Sequence, residues 1–170
     1  MNPLRTSNRN QYQVIEVTDN AAIRRKRSRV MMAVMNIICP HPVKFRQVWH
    51  FARGSKSLYA WKPTAPENFV ALGMMCTTTE HPPDVTTMRC VPQKWCTPTK
   101  FKPIKIWDDT GAGGGKPASM WIVNNLGMVT IVTGHDPPTD PFYEVSSARF
   151  FLDGFNLNEA KEATAGQSTK

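Results

Sequence analysis

No apolar run in the 170-residue sequence reaches the roughly 18–20 residues that cross a bilayer as a helix. The longest, Val30-Met31-Met32-Ala33-Val34-Met35, stops at Asn36 before Ile37-Ile38-Cys39. Basic residues precede that run in the manner of a signal anchor. It nevertheless starts too far from Met1, has no small-residue cleavage pattern and is too short to span. Long helices are disfavoured by 14 Pro and ten Gly. Disorder over the whole length is disfavoured by a hydrophobic content of 41% against 20% charged residues. Cysteine is sparse. Cys39, Cys76, Cys90 and Cys96 are the four, and five residues separate the closest pair, Cys90 and Cys96. Zinc knuckles take two to four, so no metal is expected and the thiols are read as reduced. Cys76 stands in an apolar run and is expected to serve as a small buried hydrophobe.

Signatures of chemistry are equally scarce. Gly111-Ala112-Gly113-Gly114-Gly115-Lys116 has the look of a phosphate-binding loop. Such a loop needs glycine where Thr110 stands and Ser or Thr where Pro117 stands. The segment also leads into a strand pattern, so no helix N-terminus would face an anion. A wide hairpin turn, with glycine supplying positive φ, is the better account. Asp108 and Asp109 adjoin this loop, with Asp136 and Asp140 as more distant acids. Adjacent carboxylates on a strand point to opposite faces, which fits a turn-initiating pair better than a calcium site. His41, His50, His81 and His135 fall in no Ser- or Cys-centred nucleophile signature. Neither an enzyme nor a cofactor is expected.

Charge is unevenly distributed. The net charge of +8 comes from 21 Lys and Arg against 13 Asp and Glu. Residues 1–50 hold nine basic and two acidic side chains, whereas residues 51–170 hold twelve and eleven. The basic character therefore belongs to the leading segment, chiefly Arg24, Arg25, Lys26, Arg27 and Arg29. Such a cluster can attract nucleic acid or anionic lipid. A solvated, poorly ordered arm over residues 1–41 is the plainer reading, and nucleic acid stays an alternative.

From about residue 42 the sequence repeats itself. The first unit, about 42–92, runs Lys44-Phe45-Arg46-Gln47-Val48-Trp49, a Gly54–Ser57 turn, then Leu58-Tyr59-Ala60-Trp61. The second, about 100–145, runs Lys102-Pro103-Ile104-Lys105-Ile106-Trp107, the Gly111–Gly115 turn, then Ala118-Ser119-Met120-Trp121. Each continues into an apolar stretch with a glycine, and each reaches a Pro-Pro turn, Pro82-Pro83 and Pro137-Pro138. Landmarks in the same order at near-constant spacing indicate a duplicated unit. Alternation within each unit predicts strands: Val43, Phe45, Gln47 and Trp49 on one face, Ile104 and Ile106 on one face. β-Branched runs such as Thr130-Ile131-Val132-Thr133 agree. The matched tryptophans, Trp49 with Trp107 and Trp61 with Trp121, are expected in the core of their own units. Trp95, among Pro92, Lys94 and Pro98, is expected to be partly exposed. His81 and His135 are read as sharing a place just before the Pro-Pro turns, allowing for one extra residue, Asp136. Residues 153–170 form a polar tail.

Phe69-Val70-Ala71-Leu72-Gly73, the threonine run after it, Pro82-Pro83 and Met88-Arg89-Cys90-Val91-Pro92 resemble units of the vacuolar protein sorting sixty-two, or β-tripod, domain. Ile106-Trp107-Asp108-Asp109-Thr110-Gly111 and Ser119-Met120-Trp121 resemble them too. This domain is found in relatives of vacuolar protein sorting-associated protein thirteen. The resemblance covers about residues 42–152, with Asn68 standing where the unit usually carries glycine. It implies an all-β fold of duplicated antiparallel strand units, β-prism or β-tripod-like, of which two of three lobes are legible. It implies a non-catalytic adaptor in vacuolar sorting or bridge-like lipid transfer, cytoplasmic or peripheral at endomembranes, within a larger chain. Its partners would be protein segments or membrane-surface groups. The candidate contact residues are Asp108, Asp109, Gly113, Lys116, His81 and His135. The alternative is a carbohydrate-binding β-prism lectin using exposed Trp and Asp.

Overall fold

The computed structural model describes residues 29–111 and 115–159. It opens with helix α1 (Arg29–Ile38), followed by the strands of two matched sheets. β1 (Lys44–Arg53), β2 (Lys56–Thr64) and β4 (Met75–Thr77) form an antiparallel sheet in the order β1-β2-β4. β7 (Ile104–Asp108), β8 (Ala118–Ile122) and β9 (Val129–Thr133) form the second, in the order β7-β8-β9. β3 (Phe69–Val70) pairs with β5 (Val91–Pro92), and β10 (Tyr143–Val145) pairs with β6 (Cys96–Pro98). One 3-10 turn, Gln93–Trp95, separates β5 from β6. The connector between the lobes thus makes two separate two-stranded ladders, one with a short strand from each lobe's continuation. Among the described residues none of the sheets closes on itself, and Arg29–Ile38 is the one α-helix that lies wholly within them. The fold is all-β, with duplicated antiparallel units of β-prism type.

The duplication extends to a shared irregularity. In the first lobe Gln47 pairs with Trp61 and Trp49 with Ala60, leaving Val48 as a bulge. In the second, Lys105 pairs with Trp121 and Trp107 with Met120, leaving Ile106 as the bulge. An extra residue in one strand reverses the faces of those beyond it. The expected alternation therefore fails at this point: Gln47 and Trp49 lie on opposite faces, and Ile104 and Ile106 are about half exposed (52% and 50%). Val43 is exposed as well. Outside the bulge the lobes differ in their hairpin loops. Arg53 pairs directly with Lys56 around Gly54 at φ 60°. In the second lobe a longer loop departs after Asp108, with Gly111 at φ 81° and Gly115 at φ 95°.

Two hydrophobic clusters hold the chain. Between the sheets, Trp49, Ala60, Ala118 and Ile131 are buried, with Val48, Phe51, Leu58, Met74 and Met120 against them. The second surrounds Trp95, whose ring lies 5.0 Å from Phe150 and 6.3 Å from Phe155. Its indole N–H donates to the Phe151 carbonyl at 3.0 Å. Trp95 is therefore buried rather than partly exposed, because segments from both ends of the sequence fold over it. Ile38 and Cys39 come from the amino-terminal side, and Phe155 and Leu157 from the carboxy-terminal side. Packing thus reaches past the boundaries expected at residues 42 and 152. Cys90 and Cys96 are buried, and desolvation pushes both thiols up to about 11. Cys76 is exposed, contrary to expectation, because β4 is the edge strand of its sheet.

Arg89 fastens α1 to the body. Its guanidinium donates to the carbonyls of Met35 (3.1 Å) and Cys39 (2.7 Å) and to the Asn36 side-chain oxygen (3.1 Å). A cation at a helix C-terminus both satisfies orphan carbonyls and opposes the helix dipole. Arg89→Ala is expected to lower unfolding stability by about 1–3 kcal/mol. Amide exchange at Ile38 and Cys39 should accelerate with it. An unchanged urea midpoint together with unchanged exchange would show that the helix is held by other means.

Candidate functional site

The loop end of the second lobe gathers most of the side chains singled out in the sequence. β7 ends at Asp108 and β8 begins at Ala118, so both flank the glycine loop. Asp109 is held on three sides. Its backbone N–H donates to the Ala118 carbonyl (3.2 Å), and its Oδ1 accepts the Ala118 N–H (3.1 Å). The same oxygen meets His135 Nε2 at 2.6 Å. A carboxylate only accepts, so Nε2 carries the proton. Asp108 Oδ1 accepts the Thr110 N–H (3.1 Å), and its Oδ2 accepts from Lys105 Nζ (3.3 Å). Lys116 contributes its carbonyl, which takes the indole N–H of Trp49 at 2.8 Å. The first lobe thereby clamps the loop of the second.

These contacts set the electrostatics. The hydrogen bond from His135 is the foremost cause holding the Asp109 carboxyl below its usual range, and the Ala118 N–H adds to it. Hydrogen bonds from Thr110 do the same for Asp108, with Lys105 in support. Both carboxyls are thus held below their usual range and are already partnered. Among the described residues no Ser, Thr or Cys side chain hydrogen-bonds His135. Nor do three His, Cys, Asp or Glu side chains group as metal ligands there. Behind the pair, Ser119 Oγ accepts from the Trp121 indole (2.8 Å) and donates to the Gly134 carbonyl (2.7 Å). This tie fixes the segment that carries His135.

The other expected residues lie elsewhere. His81 is exposed in the first lobe. Tyr59 pairs with Thr77 as Ser119 pairs with Val132, and carrying that register forward sets Glu80 level with His135 and His81 level with Asp136, the extra residue. Gly113 and the run Arg24, Arg25, Lys26 and Arg27 fall outside the described residues, and Arg29 opens α1. Among the tryptophans, Trp61 and Trp121 behave as a matched pair. Each is buried, and each indole donates to a hydroxyl at 2.8 Å, Thr77 Oγ1 and Ser119 Oγ respectively. Trp49 and Trp107 do not occupy separate cores. They meet edge to face with centroids 6.1 Å apart, Trp49 at 6% exposure and Trp107 at 39%. The anchoring role of Trp49 had no local signal, because its partner Lys116 lies in the other lobe. A groove of about 790 Å³ was likewise not foreseen; it runs between Glu67, Asn68, Lys94 and Phe155. Lys94 Nζ sits 4.1 Å above the Phe155 ring at its wall.

The sequence profile of the family described as vacuolar protein sorting-associated protein 62 matches residues 10–124. No curated protein matches the chain by sequence. Among solved structures, the crystal structure of GNIP1Aa from Chromobacterium piscinae resembles the chain with a TM-score of 0.55 at 21% identity. That likeness covers 78% of this chain and 28% of that one, and it is a likeness of fold.

The pairing of Asp109 with His135 is open to titration. Its contribution to stability is present above the usual carboxylate range and is lost as pH falls through the lowered folded value. Carboxyl NMR is expected to place the Asp109 midpoint below the ordinary value of about 3.9, and His135→Ala should return it upward. A midpoint that His135→Ala leaves in place would show that the imidazole does not set it.

Proposed function

The chain belongs to the vacuolar protein sorting-associated protein 62 family, and on that basis we propose that it is a non-catalytic adaptor module of vacuolar sorting. It works on the cytoplasmic side of endomembranes, where it presents the β7–β8 loop to protein segments or membrane-surface groups. The observation that carries this reading is that the polar groups around the loop are spent on holding it. Asp109 is committed to His135 and Ala118, Asp108 to Thr110 and Lys105, and the Lys116 carbonyl to Trp49. A reaction centre keeps a nucleophile or base free to meet substrate, whereas a recognition loop needs a rigid frame. The lectin alternative loses its footing. Trp49, Trp61, Trp95 and Trp121 are buried, which leaves Trp107 as the exposed indole among the described residues and no platform of several rings. No helix among the described residues is long and apolar enough to cross a membrane. Attachment to a membrane by the described part of the chain would therefore be peripheral or through a partner.

Replacing residues 110–117 by the short turn of the first lobe tests the role of the loop. In a vacuole-bearing host cell, the full chain is expected to fractionate with vacuolar and endosomal membranes and to be released by high salt. The shortened variant should keep its β-type far-UV spectrum and move to the soluble fraction. A full chain that stays soluble, or a shortened variant that stays membrane-associated, contradicts the proposal.

A further inference from the structure

β7 is an edge strand of unusual composition. It is hydrogen-bonded to β8 on one side, and among the described residues no strand flanks the other. Ile104, Ile106 and Trp107 are large, apolar and exposed within these five residues. Its counterpart in the first lobe, β1, shares the same bulge but buries its tryptophan and packs against β9. The exposure is therefore peculiar to the second copy of the unit. Single apolar side chains are ordinary on a protein surface, but three on one open edge are not.

The charges of the strand identify an occupant. Lys100 and Lys102 precede it and Lys105 lies within it, while Asp108 and Asp109 stand at its end. A strand that is basic at one end and acidic at the other complements itself when a second copy runs antiparallel. A parallel copy would set like charge against like, and an anionic bilayer would meet the two aspartates beside the apolar residues. We infer that β7 is the docking edge for a second copy of this chain in a two-fold dimer. Because of the bulge, Lys105 and Asp108 lie on the same face of the sheet, opposite Trp121 and Ser119 respectively. A register centred on Trp107 then sets Lys105 of each copy across from Asp108 of the other, with Trp107 facing Trp107 on the axis.

The geometry also sets the strength. Five residues give about 17 Å of strand. The bulge interrupts the backbone ladder, so much of the contact is made by side chains. Such an edge buries less than the roughly 1,200 Å² of a stable interface, so the dimer is weak and concentration-dependent. It closes at two copies, because the opposite edge, β9, is packed against β1. None of this depends on the role proposed for the loop.

Sedimentation equilibrium of the full 170-residue chain, over about 5–500 μM, reads the association. The wild type is expected to pass from monomer to dimer. Lys105→Glu and Asp108→Lys should each weaken self-association by about tenfold. An equimolar mixture of the two variants should restore it, because each reversed charge then faces its complement across the axis. The ion pair within one chain cannot produce that rescue. Ile104→Ser changes no charge at an exposed position and should weaken association several-fold. A wild type that stays monomeric, variants that associate as before, or a mixture no stronger than its components would overturn the inference.

Discussion

One extra residue in the first strand of each hairpin decides where both lobes put their aromatic side chains. Val48 and Ile106 are those residues. Past the bulge, the strand presents the opposite face to the one its early residues present. In the first lobe this turns Trp49 toward β9 and the inter-sheet cluster. In the second it turns Trp107 toward the same seam, where the rim of the first lobe already holds Trp49. A single indole fills the core position, and the second packs against its edge and remains half open to solvent. Identical local geometry therefore yields one buried and one exposed ring. Two copies of a unit facing each other across one core have room for only one of the two.

That asymmetry propagates to the loop and to the open edge. Trp49, once seated, directs its N–H at the carbonyl of Lys116 and fixes the return leg of the glycine loop. Asp109 and His135 fix the outgoing leg against the segment after β9. The described legs of the loop are thus braced from both lobes, which supplies the rigid frame that the proposed recognition role calls for. Trp107, left partly uncovered, makes β7 the apolar margin of the molecule. Two features set the second lobe apart: its longer loop, which lies in the sequence itself, and its exposed edge strand, which follows from Trp49 holding the core position.

Much of this architecture is legible in the sequence, and the remainder is hidden for definable reasons. The duplicated landmarks, the strand pattern and the Pro-Pro turns are local, so the lobes and their order can be read directly. The burial of both Trp61 and Trp121 follows from the same repetition, whereas their hydroxyl acceptors, Thr77 and Ser119, stand at non-equivalent places in the two units. A bulge is not visible in an alternating pattern, because it conserves composition while shifting phase. For that reason Val43, Phe45, Gln47 and Trp49 read as one face when the strand in fact has two. Trp95 reads as a proline-flanked surface residue because the groups that bury it, Ile38 and Phe155 among them, are distant in sequence. The two short ladders of the connector are equally obscured, since they borrow β3 and β10 from the continuations of different lobes and have no repeat of their own. At the candidate site, Asp108, Asp109, Lys116 and His135 were legible as loop residues. What local sequence could not convey is that the bonds to Trp49 and Ala118 would spend their polar groups on the frame.

The central claim is that the lobes are copies sharing one bulged register, in which one indole of the matched pair reaches the core and the other does not. The indole N–H resonances test it most directly, observed under dilute conditions. Trp49, Trp61, Trp95 and Trp121 each donate to a protein acceptor and are expected to exchange slowly with solvent. Trp107 is expected to exchange fast. Unequal protection of Trp61 and Trp121, or a protected Trp107 beside an unprotected Trp49, would contradict the account.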